Sequence, residues 1–199
     1  MKFYTYKKVA LAHKAAWQTL KFLAWKGYYL VGVRPKSTQI TMYDSINLSQ
    51  IPANAEAVAG YVGGMWPTYG TLVLEWPHAK KLSVAVTARQ DAECLDVEAG
   101  DARADQAGAW VKRQIARGIK KPVVYTSVSQ VPLLLRELAK AGVSRSQIRL
   151  WTAHYTFKPH LCSSSCGFGD LKADATQYSD HALGKNLDAS LCSAGFFSP

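Results

Sequence analysis

Acidic side chains are missing from the first 38 residues, which carry Lys2, Lys7, Lys8, Lys14, Lys21, Lys26, Arg34 and Lys36. The remainder holds 16 bases against 14 acids, so most of the formal net charge of +10 belongs to this N-terminal arm. An anionic partner is to be sought at the arm, while the near-neutral remainder has no recognised nucleic-acid motif and gives no reason to expect nucleic acid. Long apolar runs are missing too: nowhere are there the roughly 20 uninterrupted apolar residues of a membrane span. The start, MKFYTYKKVALAHKAAW, sets lysines before an apolar run, but His13 and Lys14 interrupt it short of a signal-peptide core. Cysteine is scarce; four residues do not make a disulfide-built scaffold. No Gly-x-Ser-x-Gly surrounds Ser127 or Ser129, and Gly63-Gly64 has no following Gly-Lys-Ser or glycine-rich helix start. Serine hydrolase chemistry and nucleotide binding therefore lack support. Repeats and low-complexity tracts are absent.

What is present is the composition of a folded protein, 48% hydrophobic and 19% charged over 199 residues. That length suits one main domain with a small appendage. Residues 1–38 are expected to form a basic N-terminal helix and connector. Val9, Ala12, Ala16, Leu20 and Leu23 share one side of a helix over 8–26, and Lys7, Lys14 and Lys21 the other, although Phe22 and Trp25 lie nearer the lysines. Gly27 stops this helix, and YYLVGV reads as a short strand entering the Arg34-Pro35 connector. A helix packed on the main domain with a solvated lysine face is preferred to a membrane-surface or wall-binding helix.

From residue 39 to 199 the texture is of short apolar runs alternating with polar or helical segments. ITMYDS, AVAGYVGG, KLSVAVTA, ECLDVE, PVVYTS, IRLWTAHYT, DATQYS and NLDAS are strand candidates, with helices from Arg103 to Gly118 and over about 130–141. This alternation predicts a parallel sheet, and eight strands predict a closed α/β barrel. The span is well below the about 250 residues of a typical (β/α)8 barrel, so a trimmed one is required, and the last three strands have almost no helices between them.

AECLDVEAGDA, residues 92–102, places Asp96 and Glu98 two positions apart on a strand that reads as buried. Alternation puts Cys94, Asp96 and Glu98 on the inner face and Leu95 and Val97 on the helix side, with the carboxylates about 6.5 Å apart along the backbone. The C-terminal ends of barrel strands are where catalytic groups gather, and buried unpaired carboxylates are costly enough to demand a reason. The plain alternative is that the pair caps the next helix or meets Arg103. Asp44 ends the first strand and Asp188 lies on the last, and closure makes these strands neighbours. Tyr61, Trp66, Tyr125, Trp151 and Tyr155 would line the same rim with rings suited to stacking on sugars, although each alone is ordinary packing.

MYDS with Asp44, LDVE with Asp96 and Glu98, LWTAHY with Trp151, ATQY with Gln177 and LDAS with Asp188 resemble the glycoside hydrolase family 25 lysozymes. IPANAEAVAGYVGG, LDVEAGDA and ADATQYSD bring the resemblance closer to the glycoside-hydrolase-like domains of actinobacteria and their phages. It covers about residues 40–192. The resemblance implies a compact TIM-type barrel of the (β/α)5(β)3 kind and cleavage of the bond between N-acetylmuramic acid and N-acetylglucosamine in peptidoglycan. By position, Glu98 would be the general acid and Asp96 would stay ionised, stabilising positive charge or orienting the substrate acetamide. Asp44 and Asp188 would tune the field and hold the sugar, with Gln177 and the aromatic residues binding substrate. No metal or organic cofactor is implied. The second strand, AGYVGG, departs from the more polar pattern of the lysozymes.

His154, His160, Cys162 and Cys166 in HYTFKPHLCSSSCG are all types that bind zinc, but no second cysteine pair follows. A local Cys162–Cys166 disulfide or two free thiols in a loop is the expectation, and Cys94 and Cys192, on different strands, are left unpaired. The functional expectation is a lytic enzyme acting at the bacterial cell wall, its partners peptidoglycan strands and, through the arm, anionic wall polymers. The rival is a catalytically quiet glycan-binding or structural module working among phage particle proteins.

Overall fold

The computed structural model describes residues 39–198; the basic arm and its expected helix lie outside the described residues. Eight strands close a barrel in chain order: β1 (Ile40–Asp44), β2 (Ala57–Tyr61), β3 (Lys80–Ala85), β4 (Cys94–Asp96), β5 (Val123–Ser127), β6 (Arg149–Ala153), β7 (Ala175–Ser179) and β8 (Asp188–Cys192). Three α-helices accompany them: α1 (Tyr69–Glu75) after β2, α2 (Ala104–Ala116) after β4 and α3 (Val131–Lys140) after β5. Each of the eight strands expected from residue 39 onward is found, while the YYLVGV strand expected in the arm lies outside the described residues. The five helices of the implied pattern are not: β1–β2 is joined through a 3-10 turn at Leu48–Gln50, and β3–β4 by a loop. Helix α1, in turn, was not anticipated. Among the described residues no helix is long and apolar enough to cross a membrane.

The barrel is mixed rather than parallel. Neighbours from β1 through β7 run parallel, whereas β8 is antiparallel to both β7 and β1. The connection 180–187 explains this, because it is used up in a turn at one end of the barrel, closed by the Ala182 N–H donating to the Leu187 carbonyl at 2.8 Å. No chain is left to travel back, so β8 starts where β7 stops. The loop 86–93 is equally short, yet β4 begins opposite Val84, near the end of β3, and little distance has to be recovered.

Alternation along the strands divides the core. Met42, Ala57, Ala59, Leu82, Val84, Cys94, Val123, Trp151 and Cys192 fill the barrel, with Phe196 packed among them. Leu95, Val97, Val124 and Leu150 point outward against Trp110 and Val111 of α2 and Leu134 and Leu138 of α3. The buried positions of α2, Ala107, Gly108, Trp110, Val111 and Gln114, recur at helical spacing, and Trp110 Nε1 donates to the Gln90 carbonyl at 2.9 Å. A Cβ at Gly108 would collide with Ala141, so glycine sets how closely α2 approaches the end of α3. Fully burying such apolar side chains contributes about 1.5–3 kcal/mol each.

Candidate active site

The C-terminal ends of β1, β2, β4, β5, β6 and β7 and the reversed start of β8 meet at one mouth. Asp44, Tyr61, Asp96, Glu98, Tyr125, Trp151, Tyr155, Gln177 and Asp188 all line one cavity there, of about 130 Å³. The direction of β8 decides this. Asp188 is its first residue, and in a parallel strand it would lie at the other end of the barrel. Running antiparallel, it comes directly opposite Asp44 in the β1–β8 register.

Asp44 and Asp96 are 5% exposed, and Gln177 and Trp151 are buried slightly more deeply. Glu98 differs from its expected place: β4 ends at Asp96, the Val97 N–H makes the last ladder bond to the Tyr125 carbonyl at 3.0 Å, and Glu98 emerges exposed at the lip. It still faces the cavity, and it also borders a second groove of about 550 Å³ with Ala102, Arg103, Thr126 and Gln130. Arg103 pairs with Asp105 at 2.9 Å rather than with Asp96 or Glu98, and α2 begins after it. The carboxylate pair therefore neither caps that helix nor joins that arginine.

A polar chain runs behind the acids. The Tyr125 hydroxyl donates to Gln177 Oε1 at 2.6 Å, the Gln177 side chain hydrogen-bonds Asp188, and Asp188 hydrogen-bonds Asp44. Since the Gln177 carbonyl is occupied by Tyr125, its amide is the donor to Asp188. Trp151 Nε1 donates to Ser190 Oγ at 3.0 Å, and its ring lies 4.5 Å from that of Tyr125, centre to centre. These contacts fix the aromatic floor. One oxygen of each deep acid, Asp44 Oδ2 and Asp96 Oδ1, is buried with no hydrogen-bond partner. An orphaned buried acceptor costs about 1–3 kcal/mol, which a ligand hydroxyl or amide placed there would recover.

Burial and mutual repulsion make the cluster hold protons. Burial pushes the Asp96 carboxyl up to about 8, helped by the charges of Glu98 and Asp101. Burial likewise raises Glu98, with Asp101 and Asp188 adding to it. Asp44 is pushed well above the carboxylate range by burial and then by Asp188, whereas the rise that burial gives Asp188 is pulled back by its hydrogen bonds from Asp44 and Gln177. Asp44 and Asp188 are thus joined by a hydrogen bond across the β1–β8 seam, with burial opposing charge on both. Burial thus works against the ionised Asp96 that the resemblance implies.

Trp66 is the residue not brought in. It is 55% exposed and lines a third groove of about 490 Å³ with Met65, Gly63, Gly64 and Asp101. Tyr61 borders both that groove and the acid cavity, as Glu98 borders the other pair. Three adjoining concavities thus cross the mouth. Asp101 was not foreseen as a site residue: it sits three positions after Glu98, its N–H donates to the Glu98 carbonyl at 3.1 Å, and burial raises its own carboxyl. The acid-rich AECLDVEAGDA was the available signal. Another cavity, of about 430 Å³, is bordered by Lys80 and Val123 at the N-terminal ends of β3 and β5, together with Lys120 and Lys121, far from the acids.

On the β6–β7 connection, Cys162 and Cys166 are free thiols rather than a disulfide, and Cys94 and Cys192 are buried, free thiols inside the barrel. Compared with known proteins, the chain matches no family model, no curated protein and no solved structure.

Proposed function

We propose that the barrel is a peptidoglycan-cleaving glycoside hydrolase, an N-acetylmuramidase acting at the bacterial cell wall on the bond between N-acetylmuramic acid and N-acetylglucosamine. The observation that carries this reading is the convergence of Asp44, Asp96, Glu98 and Asp188 on one aromatic-lined mouth. The small central cavity, flanked by two longer grooves, suits a chain lying across the mouth better than an enclosed small molecule, which would need about 300 Å³ or more.

Glu98 is at the lip, where a glycosidic oxygen can reach it, and burial raises its pKa, which favours the protonated form a general acid needs. It donates that proton to the leaving oxygen as the bond to the anomeric carbon breaks. The substrate acetamide oxygen closes on that carbon while Asp96 takes the acetamide N–H on its unpartnered Oδ1. Positive charge on the sugar favours the ionised form of Asp96, so the substrate complex gives up the Asp96 proton to solvent before the bond breaks, and the carboxylate takes one back from solvent after the products leave. Water then opens the intermediate, returning a proton to Glu98. Asp44 and Asp188 hold the sugar from the opposite wall, and the lysines of the arm concentrate the enzyme on anionic wall polymers.

The test uses the full chain on purified peptidoglycan from several actinobacteria, with released fragments identified by mass. Fragments ending in reducing N-acetylmuramic acid are expected, and Glu98→Gln should lower their release about 10²–10⁴-fold with the fold intact by circular dichroism. Wild-type protein that binds glycan and releases nothing would instead establish a catalytically quiet module.

A further inference from the structure

The β6–β7 connection, residues 154–174, is the longest joining two strands of the barrel without an α-helix, having only a 3-10 turn at Ser164–Cys166. Loops of this length without structure of their own need something to hold them. Four side chains of this one meet in space: one ligand atom each of His154, His160, Cys162 and Cys166 lies within 4.8 Å of all the others. His154 Nδ1 is 3.2 Å from His160 Nε2, and Cys162 Sγ is 3.4 Å and 3.6 Å from those two nitrogens. Cys166 is in hydrogen-bonding contact with Cys162.

Hydrogen bonding does not account for this grouping. His160 Nδ1 lies 2.9 Å from the Lys158 carbonyl oxygen, which can only accept, so the proton of that ring is on Nδ1 and Nε2 presents a lone pair to the cluster. A ring nitrogen has a single in-plane site. If His154 Nδ1 donates to His160 Nε2, neither nitrogen has a lone pair left for the Cys162 thiol. If the thiol takes one of them, the two rings lose their contact. The three mutual contacts cannot all be hydrogen bonds.

A cation at the centre satisfies all of them. Zinc binds nitrogen at about 2.0–2.1 Å and sulfur at about 2.3 Å, so the edges of a zinc tetrahedron are about 3.3 Å between two nitrogens and about 3.6 Å between nitrogen and sulfur. The observed 3.2, 3.4 and 3.6 Å fall on those lengths. The surroundings are those of a metal ligand set: Lys158 fixes the metal-binding tautomer of His160, and the Cys162 N–H donates to Thr176 Oγ1 at 2.9 Å, seating that thiol against β7.

We infer that His154, His160, Cys162 and Cys166 form a Cys2His2 site for a structural zinc ion that clamps the β6–β7 loop to the barrel. With four protein ligands the coordination is closed, so the ion supplies rigidity and no open position for chemistry. Each thiol gives up its proton to solvent on binding, two protons for one Zn²⁺, and no bond changes oxidation state. Tyr155 follows His154 directly and lines the acid cavity, so the clamp also holds one wall of the mouth. The site does not depend on the glycosidase reading.

The test is metal content. Full-length protein purified with reductant, stripped by chelator and titrated with zinc chloride should retain about one zinc per chain, and cobalt(II) chloride should give the visible bands of a tetrahedral ion with thiolate charge transfer. The double variant Cys162→Ser, Cys166→Ser should lose at least about tenfold in zinc affinity, and His160→Ala should weaken it as well. Because the cobalt spectrum needs only wild-type protein, a variant that misfolds does not blur the outcome. Wild-type protein that keeps no zinc and gives no tetrahedral cobalt spectrum, or that forms a Cys162–Cys166 disulfide with zinc supplied, overturns the site. Neither result bears on peptidoglycan cleavage.

Discussion

The acids of this molecule live in two worlds. Away from the mouth four acids are matched with bases: Asp91 with Arg113 and Arg117, Asp105 with Arg103, Glu137 with Lys140 and Arg136, and Asp174 with Arg145. Hydrogen bonds from Gln114 and Arg113 hold Asp91 below the usual carboxylate range, and Arg103 and Lys140 do the same for Asp105 and Glu137. At the mouth, no ion pair reaches Asp44, Asp96, Glu98, Asp101 or Asp188 among the described residues, and burial raises every one of them. Residues 39–199 hold 16 bases, and none of them pairs with these five acids. The cluster is therefore kept at a cost in stability, which is what makes it the candidate site.

The largest effect that would break this contrast is on activity. Release of peptidoglycan fragments should fall as pH rises through the raised pKa of Glu98, a limb that Glu98→Gln removes along with the activity; a profile with no such limb between pH 5 and about 9 would place the proton donor elsewhere. Next comes stability at the mouth. A carboxyl that binds its proton more tightly in the folded chain than in the unfolded one loses stability as pH climbs from about 4 to about 8. Asp96→Asn, measured by urea unfolding, should be near neutral at pH 4 and stabilising by about 2–4 kcal/mol at pH 8. Destabilisation at pH 8 would mean that Asp96 has a partner in solution.

An outer acid should behave the opposite way. Asp174 accepts from Arg145 at 2.6 Å and from the Leu150 N–H at 2.8 Å, so Asp174→Asn should cost about 1–3 kcal/mol at neutral pH in the same unfolding assay. Smallest of all, Asp105→Asn breaks only an exposed pair and should leave the thermal midpoint unchanged within error.

Much of the barrel was legible because alternation is a local signal. Cys94 and Asp96 point inward and Leu95 and Val97 outward as the pattern of LDVE requires, and the acids from β1, β4 and β8 do meet. What could not be read was set by paths through space. The reversal of β8 depends on how residues 180–187 turn, which composition does not reveal. Glu98 sits exposed at the lip, still facing the cavity, because β4 stops two residues earlier, where the ladder to β5 ends. Trp66 drifts to a neighbouring groove on a loop whose course no periodicity fixes. The order of proton affinities, with Asp96 holding on up to about 8, depends on burial depth, a property of the closed ring and not of the sequence around it. The four metal-type side chains have no second cysteine pair along the chain, and only the course of the loop in space brings the two histidines beside Cys162 and Cys166.

The pairing of β1 with β8 brings together the two strands farthest apart along the described chain. Such a non-local contact forms late in folding, so a half-assembled, open sheet has neither a neighbour for Asp44 nor a mouth. The hydrogen bond between Asp44 and Asp188 is therefore a seal on the finished ring: a carbonyl-stretch signature of a hydrogen-bonded acid should appear only as the barrel shuts.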